Sequence, residues 1–149
     1  MCIRDSLYSV DEARSVQAAW LHDISAVFPG PDRARVADAL GLLVLPEERA
    51  FPSILHQKLA VVLARELFAV SESPVLEAIG CHTTLRAGAT PLDMVVFVAD
   101  KLAWDQPGEP PYLTELVAAL GRSLEAASLT YLDSLWSVSY THLTLPTIH

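Results

Sequence analysis

The sequence predicts an all-α fold, a helical bundle built as one domain, and three observations predict it. From Asp11 onward apolar residues recur at helical spacing, and helix start and stop residues punctuate that pattern. The one run that alternates like a strand, Ser137 to His149, has no hairpin partner. A length of 149 residues, 52% hydrophobic and 19% charged, supplies enough apolar material for one globular core.

The first helix is expected from Asp11 to Val27, where Phe28-Pro29-Gly30-Pro31 stops it: the prolines lack the N–H that continuation needs. A second runs from Asp32 to Gly41, a glycine suited to a left-handed C-cap. Leu42 to Phe51 reads as a connection with a short apolar plug. Pro52, a favoured first-turn residue, opens the next helix, with Leu55, Leu59, Leu63 and Leu67 on one face. Ser73-Pro74 opens another, ending near Thr83-Thr84. Thr90 and Asp93 are spaced as reciprocal caps, so Met94 to Trp104 is expected to be helical despite its β-branched residues. Asp105 to Pro111 is a loop, and a last helix runs from Thr114 to Trp136 with Gly121 as its weak point. Residues 1–9 and 137–149 are similar to peptides translated from sequencing linkers. They are expected to lie outside the domain, which spans 10–136, and His142 and His149 with them.

A net charge of −8 repels a phosphate backbone, and no basic stripe with interleaved aromatics relieves it, so long nucleic acids are excluded as partners. A small anionic substrate would need a few local cations, side chains or metal ions. No apolar run approaches the roughly 20 residues that span a bilayer, and the N-terminus lacks a secretory signal pattern, so a cytoplasmic protein with no membrane partner is expected. Two cysteines, Cys2 and Cys81, are too few for a disulfide framework and are expected to be reduced.

Polar residues on apolar faces carry the functional signal. His22-Asp23 lies in the first helix. His56 sits between Leu55 and Leu59, His82 follows Val75 and Ile79, and Asp100 follows Val96 and Phe97. Imidazoles and carboxylates aimed inward from four helices form a mixed N/O donor set suited to Fe, Mn, Zn or Mg. Neighbouring side chains on a helix diverge by about 100°, which lets His22 bind one cation while Asp23 reaches it from the side or bridges to a second. Alternatives stand beside this. Each histidine taken alone is more often a hydrogen-bonded core residue than a ligand, Asp23 can pair with Arg14, and Asp100 can form a solvated ion pair at a helix edge. A nucleophilic Cys81 is disfavoured because its side chain diverges from His82 and no third group orients it. No serine elbow, glycine-rich phosphate loop or paired-cysteine zinc motif occurs, and Trp20, Trp104 and Trp136 read as packing residues.

Taken together, "LHDIS", the histidine of "SILHQ", "CHTTLR" and "FVADK" resemble, in order and spacing, the HD-domain metal-dependent phosphohydrolases. The resemblance is to the YqeK-type branch, which cleaves diadenosine tetraphosphate symmetrically to two ADP, and it covers Asp11 to Trp136. It implies an all-α HD-domain bundle with a metal site between helices. It implies His22, Asp23, His56, His82 and Asp100 as metal ligands, with iron in a two-metal site, or Mn, Mg or Zn in its place. Asp23 would bridge the metals as the catalytic carboxylate. Arg86, Lys101 and Lys58 would hold phosphates, Thr83 and Thr84 would donate hydrogen bonds, and solvated helix ends are the alternative for these five. The partner is a small nucleotide, with room left for a homodimer.

Departures from the family pattern qualify this. No histidine precedes His22 where the family's first helix supplies one, so the chain is expected to lack that helix and one ligand. Gln57-Lys58 replaces Gly-Pro, Leu85 stands where the family has glycine, and Lys101 replaces a tyrosine. Two other readings stay open: an HD-type phosphohydrolase acting on other nucleotides, and a catalytically inactive helical interaction domain.

Overall fold

The computed structural model describes residues 8–104 and 106–143, with side chains as far as residue 137. Cys2 and most of the two linker-like ends, His149 included, lie outside the described residues, as does the side chain of His142. The described chain is helical, with no strand: Glu12–Leu21 (α1), Arg33–Ala39 (α2), Pro46–Ala50 (α3), His56–Phe68 (α4), Ser73–Cys81 (α5), Pro91–Leu102 (α6), Leu113–Leu120 (α7) and Leu124–Leu143 (α8). Short 3₁₀ turns occupy Ile24–Val27, Gly30–Asp32 and Pro52–Leu55. None of the described helices is long and apolar enough to cross a membrane.

Several predicted boundaries hold for the predicted reasons. Asp11 caps α1 by accepting the Arg14 N–H at 3.0 Å. Gly41 takes the left-handed conformation, φ +68°, after α2. Thr90 and Asp93 cap α6 reciprocally: Thr90 N–H donates to Asp93 Oδ2 at 2.8 Å and Asp93 N–H to Thr90 Oγ1 at 3.3 Å.

Others move. The first helix ends at Leu21 rather than Val27, and His22-Asp23 forms its exit. Apolar spacing does not separate an α-turn from a 3₁₀ turn, and a buried tertiary contact decides here: Ser25 Oγ donates to the His56 carbonyl at 2.7 Å. The connection 42–51 contains α3, whose Glu48 accepts the Leu45 N–H at 2.8 Å. The expected leucine stripe on α4 is incorrect, because Leu55 and Leu59 are buried whereas Leu67 is 70% exposed. Steps of four residues drift by about 40° each, so three of them leave the original face. The predicted last helix is two, since Ser123 Oγ accepts the Ala126 N–H at 3.0 Å and starts α8 afresh after Gly121. The backbone is helical to Leu143, so the alternating pattern beyond Ser137 does not mark a strand there. Trp20 and Trp136 are 83% and 73% exposed, which corrects their reading as packing residues.

The chain divides into two compact units, residues 1–100 and 101–149. In the first, Ala18 and Leu21 of α1, Ala60 and Ala64 of α4, Val75, Ala78 and Ile79 of α5, and Leu92 and Val96 of α6 form one buried cluster. Small residues let these helices approach closely. A Cβ added at Gly80 of α5 would lie 3.1 Å from the Val61 side chain of α4. A smaller cluster joins Ala37 of α2 to Leu55 and Leu59. In the second unit, Leu116, Ala119, Leu124 and Ala127 are buried. The Tyr112 and Tyr131 rings there meet edge to face at 4.9 Å.

Candidate metal centre

His22 leaves the end of α1, Asp23 follows at φ −105°, ψ 12°, His56 opens α4, His82 closes α5, and Asp100 lies near the end of α6. Asp23 is thus outside regular helix, in the sparsely populated bridge region, rather than one helical step from His22 as expected. The packing of α1, α4, α5 and α6 brings all five side chains together. His22 Nε2 lies 3.5 Å from Asp23 Oδ2 and 3.3 Å from Asp100 Oδ1. His56 and His82 each place Nε2 3.5 Å from Asp23 Oδ1, and their two Nε2 atoms are 2.9 Å apart. His22, Asp23 and His82 offer ligand atoms within 4.8 Å of one another. His56 joins through His82 and Asp23, and Asp100 through His22.

The three imidazoles are anchored alike. Each places Nδ1 on the backbone carbonyl three residues earlier: His22 on Ala19 at 2.7 Å, His56 on Ser53 at 2.6 Å, His82 on Ile79 at 2.7 Å. A carbonyl only accepts, so Nδ1 carries the proton, and a neutral ring presents its Nε2 lone pair to the centre. His56 and His82 would then set lone pair against lone pair at 2.9 Å, which a shared cation relieves. Three anchored imidazole nitrogens around a carboxylate fit a first-row divalent metal.

The electrostatics agree. In the metal-free chain the His82 ring, when it carries a proton on Nε2 as well, donates to Asp23 and holds that group below its ordinary pKa against partial burial, so Asp23 is a carboxylate at neutral pH. The bond to Asp100 raises His22 above its ordinary value, whereas burial pushes His56 below its own. Asp23 does not pair with Arg14, which binds Glu72 at 2.7 Å. Asp100 pairs with His22, with its side chain 26% exposed.

The other predicted residues divide. Thr83 Oγ1 donates to His56 Nε2 at 3.0 Å and lines a cleft of about 410 Å³ with Asp23, His56, Arg33, Phe51 and Ile54. Thr84 Oγ1 instead meets Gln57, whose Nε2 donates to it at 3.1 Å. Arg86 is engaged with carboxylates rather than open to a phosphate: its Nε donates to Asp93 Oδ2 at 2.9 Å and its Nη2 to Glu77 at 2.7 Å. Lys58 is likewise committed, to Glu48 at 2.7 Å and the Leu43 carbonyl at 3.0 Å. Lys101 is buried in the second unit, its Nζ 5.4 Å from the Tyr131 ring centre. Cys81 is free and buried, and desolvation, with Asp93 adding, pushes its thiol up to about 12, too high for a nucleophile at neutral pH.

Three residues were given no role at the site by the sequence. Gln57 is buried and its Oε1 accepts the Thr83 N–H at 3.2 Å, tying the loop after α5 to α4. Ser25 anchors the turn after Asp23, and Arg33 lines the cleft. Nothing in their local patterns distinguishes them, because each acts across 20 or more residues.

Comparison with known proteins places this geometry. A protein of Lactococcus lactis subsp. cremoris, described as an uncharacterized protein in the pepC 5′ region, is 42% identical over 124 residues. The alignment takes in 83% of this chain, which spans 64% of the length of that relative. The crystal structure of a Clostridium acetobutylicum protein, described as a predicted HD superfamily hydrolase involved in NAD metabolism, superposes with a TM-score of 0.84. It covers 97% of this chain and 75% of that one at 23% identity, a likeness of fold. Residues 1–105 match the HD domain family, and they contain every histidine and aspartate of the centre, so the chain belongs to the HD domain family.

Proposed function

We propose that this chain is a metal-dependent phosphohydrolase that cleaves a nucleotide phosphoanhydride, with diadenosine tetraphosphate as substrate and two ADP as products. The observation that carries this reading is the convergence of three Nδ1-anchored imidazoles on Asp23. His22, Asp23, His56, His82 and Asp100 would hold the metal, and the mixed imidazole and carboxylate set suits iron, with Mn, Zn or Mg as substitutes. When bound, divalent cations lower the pKa of a water and neutralise phosphate oxygens.

The chain's own residues supply orientation. The backbone carbonyls of Ala19, Ser53 and Ile79 fix ring tautomer and tilt before any ligand arrives. Asp23 enters already ionised and would help hold the metal. Thr83 presents a hydroxyl beside His56 that can turn to a phosphate oxygen, and the exposed Phe51 ring at the cleft offers a face for a base. A buried, free Cys81 is in keeping with a cytoplasmic setting.

The test is a panel of diadenosine tetraphosphate, NAD and mononucleotides, assayed with Mn²⁺ or Fe²⁺ by chromatography of products. ADP as sole product from the tetraphosphate supports the proposal. Cleavage of mononucleotides alone rejects the substrate and keeps the hydrolase, whereas a metal-free protein whose stability ignores chelators rejects both. A second reading, a hydrolase of NAD-related dinucleotides, is favoured by the likeness to the Clostridium protein, and the same panel decides it.

A further inference from the structure

Arg33 stands apart from the other described arginines of the first unit. Arg14, Arg35, Arg49, Arg65 and Arg86 each lie against a carboxylate. Arg33 has no carboxylate partner among the described residues, although the chain carries a net charge of −8. Its guanidinium is held by backbone instead. Nε donates to the Phe28 carbonyl at 3.2 Å and Nη1 to the Ser53 carbonyl at 2.9 Å. That second acceptor is the carbonyl that receives the His56 Nδ1 proton at 2.6 Å. One oxygen thus orients both a ligand of the metal centre and a half-buried cation on the wall of the same cleft.

Two of the five guanidinium N–H groups are used in this way, and the remaining donors have no partner among the described residues. A fixed guanidinium with free donors is preorganised for tetrahedral oxyanions, which it binds through two parallel hydrogen bonds without first breaking an ion pair. Arg86 and Lys58 would each have to give up a carboxylate to do the same.

We propose that Arg33 is the side chain that grips a phosphate group of the substrate in the cleft beside the metal centre. The inference rests on the phosphohydrolase reading and names the phosphate-binding residue that the reading leaves open. It assigns the role to a position in the Pro29–Arg33 turn rather than to the loop after α5.

The decisive measurement titrates inorganic phosphate into the Mn²⁺-loaded full chain and into Arg33→Gln by calorimetry, with metal content determined for both. Arg33→Gln should load metal as the parent does and bind phosphate about tenfold or more weakly, with Arg33→Lys in between because it keeps the charge without the fork. A glutamine variant that holds metal and binds phosphate as tightly as the parent overturns the proposal. Arg33 also tethers two loop carbonyls, so a second experiment leaves the side chain in place. With ¹⁵N-labelled arginine, the Arg33 Nε signal should move as phosphate binds, and a stationary signal during phosphate binding overturns the proposal equally. A parent chain that takes up no metal sinks the hydrolase reading instead, and Arg33 is then judged by whether phosphate moves its signal in the metal-free chain.

Discussion

His22 shows how one contact sets a residue's behaviour. Asp100 raises its pKa, so in metal-free protein the favourable pairing is fully present below the ordinary value of 6.5 and is lost as pH rises through the raised value. A metal needs the neutral ring, so its affinity should run the other way, falling on acidification through that same window above 6.5. Asp100→Asn should bring the His22 titration in metal-free protein down toward 6.5, as followed by the ring proton shifts in NMR. Arg86 makes a different case. Asp93 is fully buried, and its Oδ2 depends on Arg86 at 2.9 Å and the Thr90 N–H at 2.8 Å. Removing a partly exposed arginine from a buried carboxylate should cost about 2 kcal/mol, less than for a wholly buried pair. Arg86→Met should therefore lower the urea midpoint while metal stoichiometry stays as it was. Loss of phosphate affinity at unchanged stability would return Arg86 to the substrate.

At the scale of the element, two helix ends use left-handed residues that are not glycine. Ala69 closes α4 at φ 52°, with the Val70 N–H donating to the Ala64 carbonyl at 3.1 Å, and Leu85 follows Thr83-Thr84 at φ 57°. An L-residue in that region is strained, and Ala69 is exposed, so its methyl packs little in return. Ala69→Gly should stabilise the protein by about 0.5–1 kcal/mol in chemical denaturation with m unchanged. Leu85 occupies the position where the sequence resemblance places glycine, and the positive φ is the physical reason glycine suits it. Gln57, where the sequence resemblance places glycine, orders the loop by another route: its buried amide holds both threonines. Gln57→Leu should leave the Thr83 N–H without its acceptor and cost about 1–2 kcal/mol, with faster hydrogen exchange confined to the loop.

For the whole molecule, the test is removal of metal. Four packed helices bring five candidate ligands together, so a cation that binds only the folded chain would add to its stability by mass action, about 2.7 kcal/mol at a hundredfold excess over Kd. Dialysis against a chelator should lower Tm by roughly 5–10 °C, with Mn²⁺ or Fe²⁺ restoring it. An unchanged Tm would show that the histidines hold together as ordinary core residues. The all-α class, the helix starts at Asp11 and Thr90, the C-cap at Gly41 and the five polar residues of the centre were legible in the sequence. Each rests on local chemistry, a cap geometry or a helical period, that a short window contains. What a window does not contain is the partner across space. Whether α1 continues past His22 depended on Ser25 reaching the His56 carbonyl, and Arg86 was claimed by Asp93 and Glu77 rather than left for a phosphate. The sequence by itself determined which residues carry side chains suited to a metal and which helices they lie in or beside. Only the tertiary structure decided that their nitrogens meet around Asp23 and that Arg33 faces the same cleft, because convergence is set by how α1, α4, α5 and α6 pack, and packing is a property of the assembled core.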